Sequence, residues 1–342
     1  MNEYSRSCIN FHEVRNVKPK QLWKALLASG AMLILILDSQ TAVEGAKTGI
    51  DLCIRTVIPS LFPFFIISSI LTSSLSGQSL FFLKPLGRLY GIPAGAESLL
   101  LIGVLGGYPV GAQAVSFAYN SGSLTKSQAE RMLAFCNNAG PAFLFGVVSQ
   151  FFPSAVIPWV LWMIHLAGAL MVAILIPHEP AQAAKLPPAK EPSLTQAMQQ
   201  SLRTMAAVCG WVILFRVLIG FFYRWFLWIL PVELQVLIIG CLELSNGCME
   251  LAGVADLPTR FLLCSGMLAF GGLCVTMQTL SVVKGLSVKH YLLGKLMQTI
   301  AAVSICIGIL YHNWVILIVF LLFFFFLFRK GKNSRFYGLH TV

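Results

Sequence analysis

The sequence predicts an all-α, polytopic membrane protein with about eight transmembrane helices and two re-entrant helical hairpins, arranged in two repeat halves. Hydrophobic residues make up 57% of the 342 positions and charged residues only 11%, whereas a soluble domain carries roughly 25% charged residues. The mean hydropathy is +0.79. Apolar windows of about 20 residues, the length that a helix needs to cross a bilayer, recur along the chain. They lack the alternation of barrel strands, so helices in contact with the lipid bilayer are expected.

Basic residues are concentrated at the two ends of the chain. The formal net charge is +11, from 24 Lys and Arg against 13 Asp and Glu. A basic N-terminal segment, residues 1–21, precedes the first apolar window, and a basic tail, residues 329–342, follows the last. Because cytoplasmic segments are enriched in Lys and Arg, both termini are expected in the cytoplasm, which requires an even number of crossings. The basic residues form no nucleic-acid face, so no nucleic-acid partner is expected.

The first half is assigned to residues 22–176. Its first apolar window, residues 22–37, is expected to be a signal anchor in a multi-pass cell-membrane protein, because no convincing small-x-small cleavage site follows it. Residues 57–71 are predicted to form a span with a kinked start, since Pro59 and Pro63 lie at its head.

Two interrupted segments follow in this half. Residues 96–119 are broken at their centre by GGYP, a pattern that predicts a re-entrant hairpin. The next helix is expected to start at a capping box formed by Thr125 and Gln128. It then meets the run NNAGP at residues 137–141, which predicts an interruption at membrane depth. Residues 155–176 are predicted to form an ordinary span.

A polar, Pro-rich linker at residues 177–193 is expected to separate the halves, and the second half is assigned to residues 194–328. A Gly-Gly break in AFGGLCVTMQ predicts that residues 259–284 form the second hairpin. The remaining apolar windows predict spans at residues 202–222, 232–251, 287–310 and 314–328.

An internal repeat supports this division. With an offset of 165 residues, five residues around the GGYP break match five around the second Gly-Gly break. The matched residues are Gly106, Gly107, Val110, Gln113 and Ser116 in the first half, and Gly271, Gly272, Val275, Gln278 and Ser281 in the second. Corresponding Gly- or Pro-interrupted segments in two halves point to the binding site of a secondary transporter. The repeat leaves both inverted and parallel arrangements open.

The helix breaks are expected to form the ligand site, because unpaired backbone groups at membrane depth are tolerated only where protein or a water-filled cavity satisfies them. Gly106 and Gly107 allow close backbone approach at the first break. Pro109 suits the first turn of the second arm, and Gln113 follows one turn later. The alternative is that the small residues only pack a helix face, namely Gly103, Gly107 and Gly111.

Polar side chains inside apolar windows add to this site. Asn137 and Asn138 are adjacent amides that are costly to bury unless they bond a ligand, an ion or the broken backbone. A purely structural cap for the break is the alternative. Glu243 and Asn246, three residues apart on one helical face, could contact a polar substrate or carry a coupling proton. The alternative places Glu243 at an interface. His165, alone in a span, is expected to be packed or hydrogen-bonded rather than a proton relay.

The sequence does not predict an enzyme. It lacks G-x-S-x-G, H-E-x-x-H and clusters of His with carboxylates. The nine cysteines contain no C-x-x-C pair and lie mostly in apolar windows, so they are expected to be core residues rather than metal ligands or disulfides. No metal and no cofactor are therefore expected, apart from Na⁺ or H⁺ as a coupling ion.

Several motifs in order resemble a known family. The run GGYPVGAQAVSFAYNSGSLTKSQAERMLAFCNNAGPAFLFG resembles the nucleoside-recognition gate domain of bacterial membrane proteins. Together with VIPSLFPFF, ELSNG and FGGLCVTMQ, it looks like the YlbJ-type sporulation integral membrane proteins, over roughly residues 45–310. That family is distantly similar to concentrative nucleoside transporters, whose hairpins and unwound helices hold substrate and cation. The resemblance implies movement of dipicolinic acid across the forespore membrane.

The resemblance places hairpin tips at residues 106–109 and 271–273, and substrate-facing breaks at residues 137–141 and 243–247. The expected function is transport of a small anionic or nucleoside-like solute, with dipicolinate favoured. The alternative is a non-transporting sporulation scaffold or a ligand-sensing gate-domain protein, and a homo-oligomer is left open. The expected substrate-binding residues are Gly106, Gly107, Tyr108, Pro109, Gln113, Asn137, Asn138, Gly140, Pro141, Glu243, Asn246, Gly271, Gly272 and Gln278.

Overall fold

The computed structural model describes residues 19–75, 78, 80–177 and 192–337, with side chains up to residue 326. These residues are predominantly helical and contain no β-strand. The basic N-terminal segment before residue 19, most of the Pro-rich linker and the end of the basic tail lie outside the described residues.

Six helical segments among the described residues are long and apolar enough to cross a membrane. Two shorter apolar helices add to them. Many of the large apolar side chains on these segments are exposed at the outer surface, as lipid-facing residues would be. The prediction of a polytopic all-α membrane protein is therefore confirmed. The long segments are Lys20–Leu37, Ser39–Leu75, Val156–Leu175, Leu194–Trp225, Leu257–Val282 and Lys289–Tyr311, and the shorter ones are Val232–Leu242 and Val315–Phe326.

The described residues before the linker form nine α-helices. A π-helical turn joins the second to the third, and the predicted capping box of Thr125 and Gln128 starts the seventh. The Pro-containing start of the predicted span at residues 57–71 lies in α3, with Pro63 inside the helix. The helices are α1 (Pro19–Leu37), α2 (Ser39–Leu52), α3 (Ile58–Leu75), α4 (Lys84–Leu89), α5 (Glu97–Leu105), α6 (Val110–Asn120), α7 (Lys126–Cys136), α8 (Pro141–Gly146) and α9 (Val156–Leu175).

Seven α-helices follow the linker in the part of the chain that the structure describes, up to residue 337. A capping box of Ser193 and Gln196 starts the first of them, and Asp256 caps the fourth through the backbone N–H of Thr259. The helices are α10 (Leu194–Trp225), α11 (Val232–Leu242), α12 (Leu244–Glu250), α13 (Leu257–Phe270), α14 (Gly272–Val282), α15 (Lys289–Tyr311) and α16 (Val315–Tyr337).

The first hairpin consists of α5 and α6, which pack against each other around the GGYP break. A Cβ atom added at either Gly103 or Gly111 would overlap the carbonyl oxygen of Cys136, so the end of α7 lies between the two arms. The predicted hairpin is present at this position. Of the three glycines in the alternative prediction of a packing face, Gly103 and Gly111 do pack closely, on Cys136, whereas Gly107 lies in the break against Gly140.

The second hairpin lies in a different segment from the one predicted. Helices α11 and α12 fold back on each other, so that a Cβ atom at Gly247 would overlap the backbone of Gly240. Residues 232–251, predicted as a span, therefore form a hairpin whose tip is Glu243. Residues 259–284, predicted as a hairpin, instead form a broken helix.

The break between α13 and α14 bends the chain without folding it back. Gly271 and Gly272 both have positive φ, at 80° and 81°, yet α13 and α14 do not pack along each other. Helices α7 and α8 are related in the same way: they lie against α9 and do not pack along each other. The chain thus contains a first broken helix, α7–α8, and a second, α13–α14. A Gly-Gly pair therefore interrupts a helix without determining whether the two arms pack against each other.

The two halves contain the same elements in the same order: a long helix, a hairpin, a broken helix and a further helix. Their long helices run in opposite directions, because Gly45 of α2 packs on Val217 of α10 while Gly49 packs on Ile213. An ion pair of 2.6 Å between Asp38 and Arg224 joins the start of α2 to the end of α10. In this order of elements, the hairpin tip at residues 106–109 of the first half corresponds to Glu243 of the second half. The prediction from the 165-residue offset, which paired the tip with Gly271, is therefore wrong.

We expect Gly103→Ala to destabilise the protein by about 1–3 kcal/mol, because the added Cβ atom overlaps the Cys136 carbonyl and forces overpacking. Gly210→Ala is the matched control. Gly210 lies in α10 with open space around its Cα atom, so this change should be neutral or slightly stabilising. Melting temperatures of the two variants in detergent would test this, and equal values would contradict the close approach of α7 to the hairpin.

Candidate functional site

The two hairpin tips meet at a small cavity, which we call the central cavity. Its volume open to water is about 40 Å³, enough for water but small for an organic solute. Tyr108 lines it from the first tip and Glu243 from the second, while Phe65 of α3 also contributes. The other lining residues are Leu61, Gly106, Gly107, Gly140, Ala142, Phe143, Val208, Val212, Leu244, Ser245, Val275 and Gln278.

A larger cavity, which we call the vestibule, lies beside it with a volume of about 240 Å³. Phe65 lines both cavities and therefore stands between them. The hydroxyl of Ser98, which lines the vestibule, is buried without a hydrogen-bond partner. No charged side chain lines this cavity among the described residues. Its polar lining consists of Ser69, Thr72, Ser73, Ser98, Gln113, Gln200, Ser201 and Thr204.

The fourteen predicted site residues fall into three groups, according to which of the two cavities they line, if either. Six line the central cavity: Gly106, Gly107, Tyr108, Gly140, Glu243 and Gln278. One lines the vestibule: Gln113. Seven line neither cavity: Pro109, Asn137, Asn138, Pro141, Asn246, Gly271 and Gly272.

Asn137 connects the first hairpin to the second broken helix. Its side-chain oxygen accepts a hydrogen bond of 3.3 Å from the backbone N–H of Ala112. Its amide nitrogen donates at 2.9 Å to the hydroxyl of Thr279 in α14. Asn137 is fully buried, so both bonds replace lost hydration. The side chain therefore stabilises the break within the protein.

Both the nitrogen and the oxygen of the Asn138 side-chain amide also form hydrogen bonds within the protein. Its nitrogen donates at 2.6 Å to the carbonyl of Phe135 at the end of α7. Its oxygen accepts at 3.1 Å from Gln298 of α15. The next residue, Ala139, donates its backbone N–H at 3.0 Å to Nε2 of His165. His165 is thus a hydrogen-bonded residue that satisfies the broken backbone.

Glu243 caps the second arm of its own hairpin. Its carboxylate accepts from the backbone N–H groups of Ser245 and Asn246, at 3.1 and 2.7 Å, and from the Asn246 side chain at 2.7 Å. An anion is favourable at a helix N-terminus, and here the protein supplies it. The positive end of α12 is therefore already occupied by Glu243.

Lys295 is a buried polar residue that sequence reasoning missed. Residues 287–310 read as an ordinary span, although Lys295 and Gln298 lie well inside it and three residues apart. Nζ of Lys295 contacts the hydroxyl of Tyr108 at 3.3 Å and the side-chain oxygens of Asn138 and Gln298 at 3.5 and 2.8 Å. The side chain is 1% exposed. A lysine this deep in an apolar window was the available signal.

The described residues contain no group of three or more His, Cys, Asp or Glu side chains that could hold a metal ion. The eight cysteines among them are free.

We expect Asn138→Ala to lower the stability by about 1–3 kcal/mol, because it removes one acceptor from each of the buried donors of Gln298 and Lys295. Asn120→Ala, at the exposed end of α6, is the matched control and should have little effect. Thermal unfolding in detergent measures both. Equal melting temperatures would show that the amide of Asn138 is not needed for the fold.

Comparison with known proteins gives one informative relative. No protein-family model matches the chain, and no solved structure matches it. The sporulation integral membrane protein YlbJ of Bacillus subtilis (strain 168) is 27% identical over 321 residues, which cover 78% of this chain and 77% of that protein. This similarity supports the classification of the chain with the YlbJ-type sporulation integral membrane proteins.

Proposed function

We propose that this protein is a membrane transporter for a small polar solute, working by alternating access between its two halves. The observation that carries the proposal is the meeting of two hairpin tips at one cavity, each beside the break of a broken helix. Broken helices and hairpins at membrane depth form substrate sites in secondary transporters, because their free backbone ends can bind polar groups. A bundle that served only as a scaffold would have no use for these costly breaks.

The vestibule would give a solute access to the central cavity from one side of the membrane. It lies along the first turns of α10, next to Gln200 and Thr204, and along the last turns of α3. Phe65, which lines both cavities, closes it toward the central cavity, and Ile102 and Val110 of the first hairpin line it. Movement of the first hairpin would join the two cavities, and a corresponding movement of the second hairpin would open the opposite side.

Dipicolinate is our favoured substrate, from the YlbJ-type resemblance and because the similar Bacillus subtilis protein is a sporulation integral membrane protein. One carboxylate would meet the start of α6 at the first tip, where Lys295 lies behind Tyr108. The second carboxylate would not meet α12, whose N-terminus Glu243 already caps. The hydroxyl and amide groups of the vestibule would bind the remaining polar atoms, and they would equally suit a nucleoside-like solute.

In this proposal the protein lies in the cell membrane with both termini in the cytoplasm. In a spore-forming source it would act in the forespore membrane. Transport would be coupled to Na⁺ or H⁺.

A non-transporting scaffold or ligand sensor is the second candidate, favoured by the small volume of the central cavity. Uptake of labelled dipicolinate and, separately, of uridine into proteoliposomes, with and without Na⁺ and proton gradients, distinguishes the two. Saturable uptake of dipicolinate supports the favoured transporter, and uptake of uridine alone moves the substrate to nucleosides. Folded protein that takes up neither solute favours the scaffold or sensor.

We expect Gln200→Leu to raise the KM for uptake about tenfold, because a lost hydrogen bond to a polar solute costs about 1–3 kcal/mol. Gln199→Leu is the matched control, since Gln199 is exposed and lines neither cavity. The measurement is initial uptake against solute concentration. A Gln200→Leu variant with wild-type KM would exclude the vestibule as the solute path at this position.

A further inference from the structure

The ammonium group of Lys295 is surrounded by oxygen acceptors. A protonated lysine has three N–H donors and no acceptor. Three oxygens face Nζ, from Tyr108, Asn138 and Gln298. The rings of Tyr108 and Tyr291 also lie 5.1 and 5.8 Å from Nζ, within range of a cation–π contact. No carboxylate lies within hydrogen-bond distance of Nζ among the described residues.

The two amides cannot easily turn to suit a neutral amine. The nitrogen of Asn138 donates to the Phe135 carbonyl, so its oxygen is fixed toward α15. The nitrogen of Gln298 donates to Asn138 and to the carbonyl of His165, so its oxygen is fixed toward Lys295. These bonds direct a lone pair of each amide oxygen, one from Asn138 and one from Gln298, toward Nζ. Hydrogen bonding of this kind favours the protonated form of Lys295.

Tyr108 is the one partner that can change its role. Its hydroxyl accepts from Nζ and donates at 3.4 Å to the carbonyl of Leu268 in α13. The hydroxyl thereby links the tip of the first hairpin both to α15 and to the second broken helix. A neutral amine has a lone pair that needs a donor, and the Tyr108 hydroxyl can supply one only by turning away from Leu268.

We propose that Lys295 is the proton-carrying group of transport, and that its protonation state sets, through Tyr108, whether the tip of the first hairpin is bonded to α13. The coupling to solute rests on the proposed transport function, whereas the effect on the hairpin does not. In the proton-transfer step Lys295–NH₃⁺ gives H⁺ to the hydroxyl of Tyr108, which at the same time gives its own proton to water of the central cavity that Tyr108 lines. This leaves a neutral amine and hydronium. Tyr108 then donates to the amine, and its bond to Leu268 is lost.

Four titratable groups face Lys295 or its partners from the surrounding elements. They are Tyr108 from the first hairpin, Cys136 from α7, His165 from α9 and Tyr291 from α15 itself. Helix α13 contributes the Leu268 carbonyl through Tyr108. Glu243 lines the same cavity as Tyr108 and is bonded to its own helix N-terminus.

Transport measurements test the coupling. In proteoliposomes, wild-type protein should accumulate labelled dipicolinate or uridine with one orientation of an imposed pH gradient and not with the reverse orientation, and a Na⁺ gradient alone should have no effect. Lys295→Met should still exchange solute across the membrane but lose accumulation, so that inside and outside concentrations become equal. Lys289→Met, at the exposed start of α15, should behave as wild type. Accumulation by Lys295→Met, or accumulation driven by Na⁺ alone in wild type, overturns the coupling role.

Hydrogen–deuterium exchange tests the effect on the hairpin without requiring transport. After correction for intrinsic exchange rates, residues 103–113 of the wild-type protein should lose protection as the pH rises. Lys295→Met and Tyr108→Phe should each abolish this pH dependence, and Lys289→Met should retain it. Protection that is independent of pH in wild type overturns the inference. If wild type takes up neither solute, the proposed function fails, and this experiment alone decides whether Lys295 controls the hairpin.

Discussion

Backbone groups freed by a helix break inside an apolar bundle have no lipid partner, and each one left unpaired costs several kcal/mol. The bundle supplies these partners from its own side chains. Asn138 donates to the carbonyl of Phe135 near the end of α7, and His165 accepts from the backbone of Ala139. Glu243 accepts from the first N–H groups of α12. The positions of the hairpins and of α9 and α15 follow from this need, because the partner side chains lie on them.

Glu243 and Lys295 lie in the interior beside these partner side chains. Glu243 is 2% exposed and Lys295 is 1% exposed, and each is bonded to neutral groups of the protein rather than to an opposite charge. Charged groups at membrane depth are costly and commonly mark substrate or ion pathways. Both residues lie at hairpin tips or contact one. The charges therefore stand where a change of protonation would act directly on the moving parts of the proposed transporter.

Much of this arrangement is visible in the sequence because breaks have a local signature. GGYP and NNAGP each place residues unsuited to a helix interior within an apolar window, and the structure interrupts a helix at both. At Glu243 the residue pattern predicts a continuous span, since ELSNG contains no proline, and only the family resemblance placed a break at residues 243–247, where the structure interrupts the helix. Its fold-back depends on Gly240 and Gly247 meeting across the break. Contacts between residues on two arms have no local signal, so the second hairpin was assigned to the wrong segment.

Composition and hydropathy by themselves determined the fold class and the membrane environment, because the cost of burying polar backbone in lipid acts on every apolar window separately. Local residue chemistry determined the interruptions at GGYP, NNAGP and the Gly-Gly pair. Only the tertiary structure decided which interruptions fold back and which partners they find. It brought Lys295 to Asn138 across 157 residues and Tyr108 to Leu268 across 160. Such pairings depend on how whole helices pack, and this packing is set by contacts among all the elements.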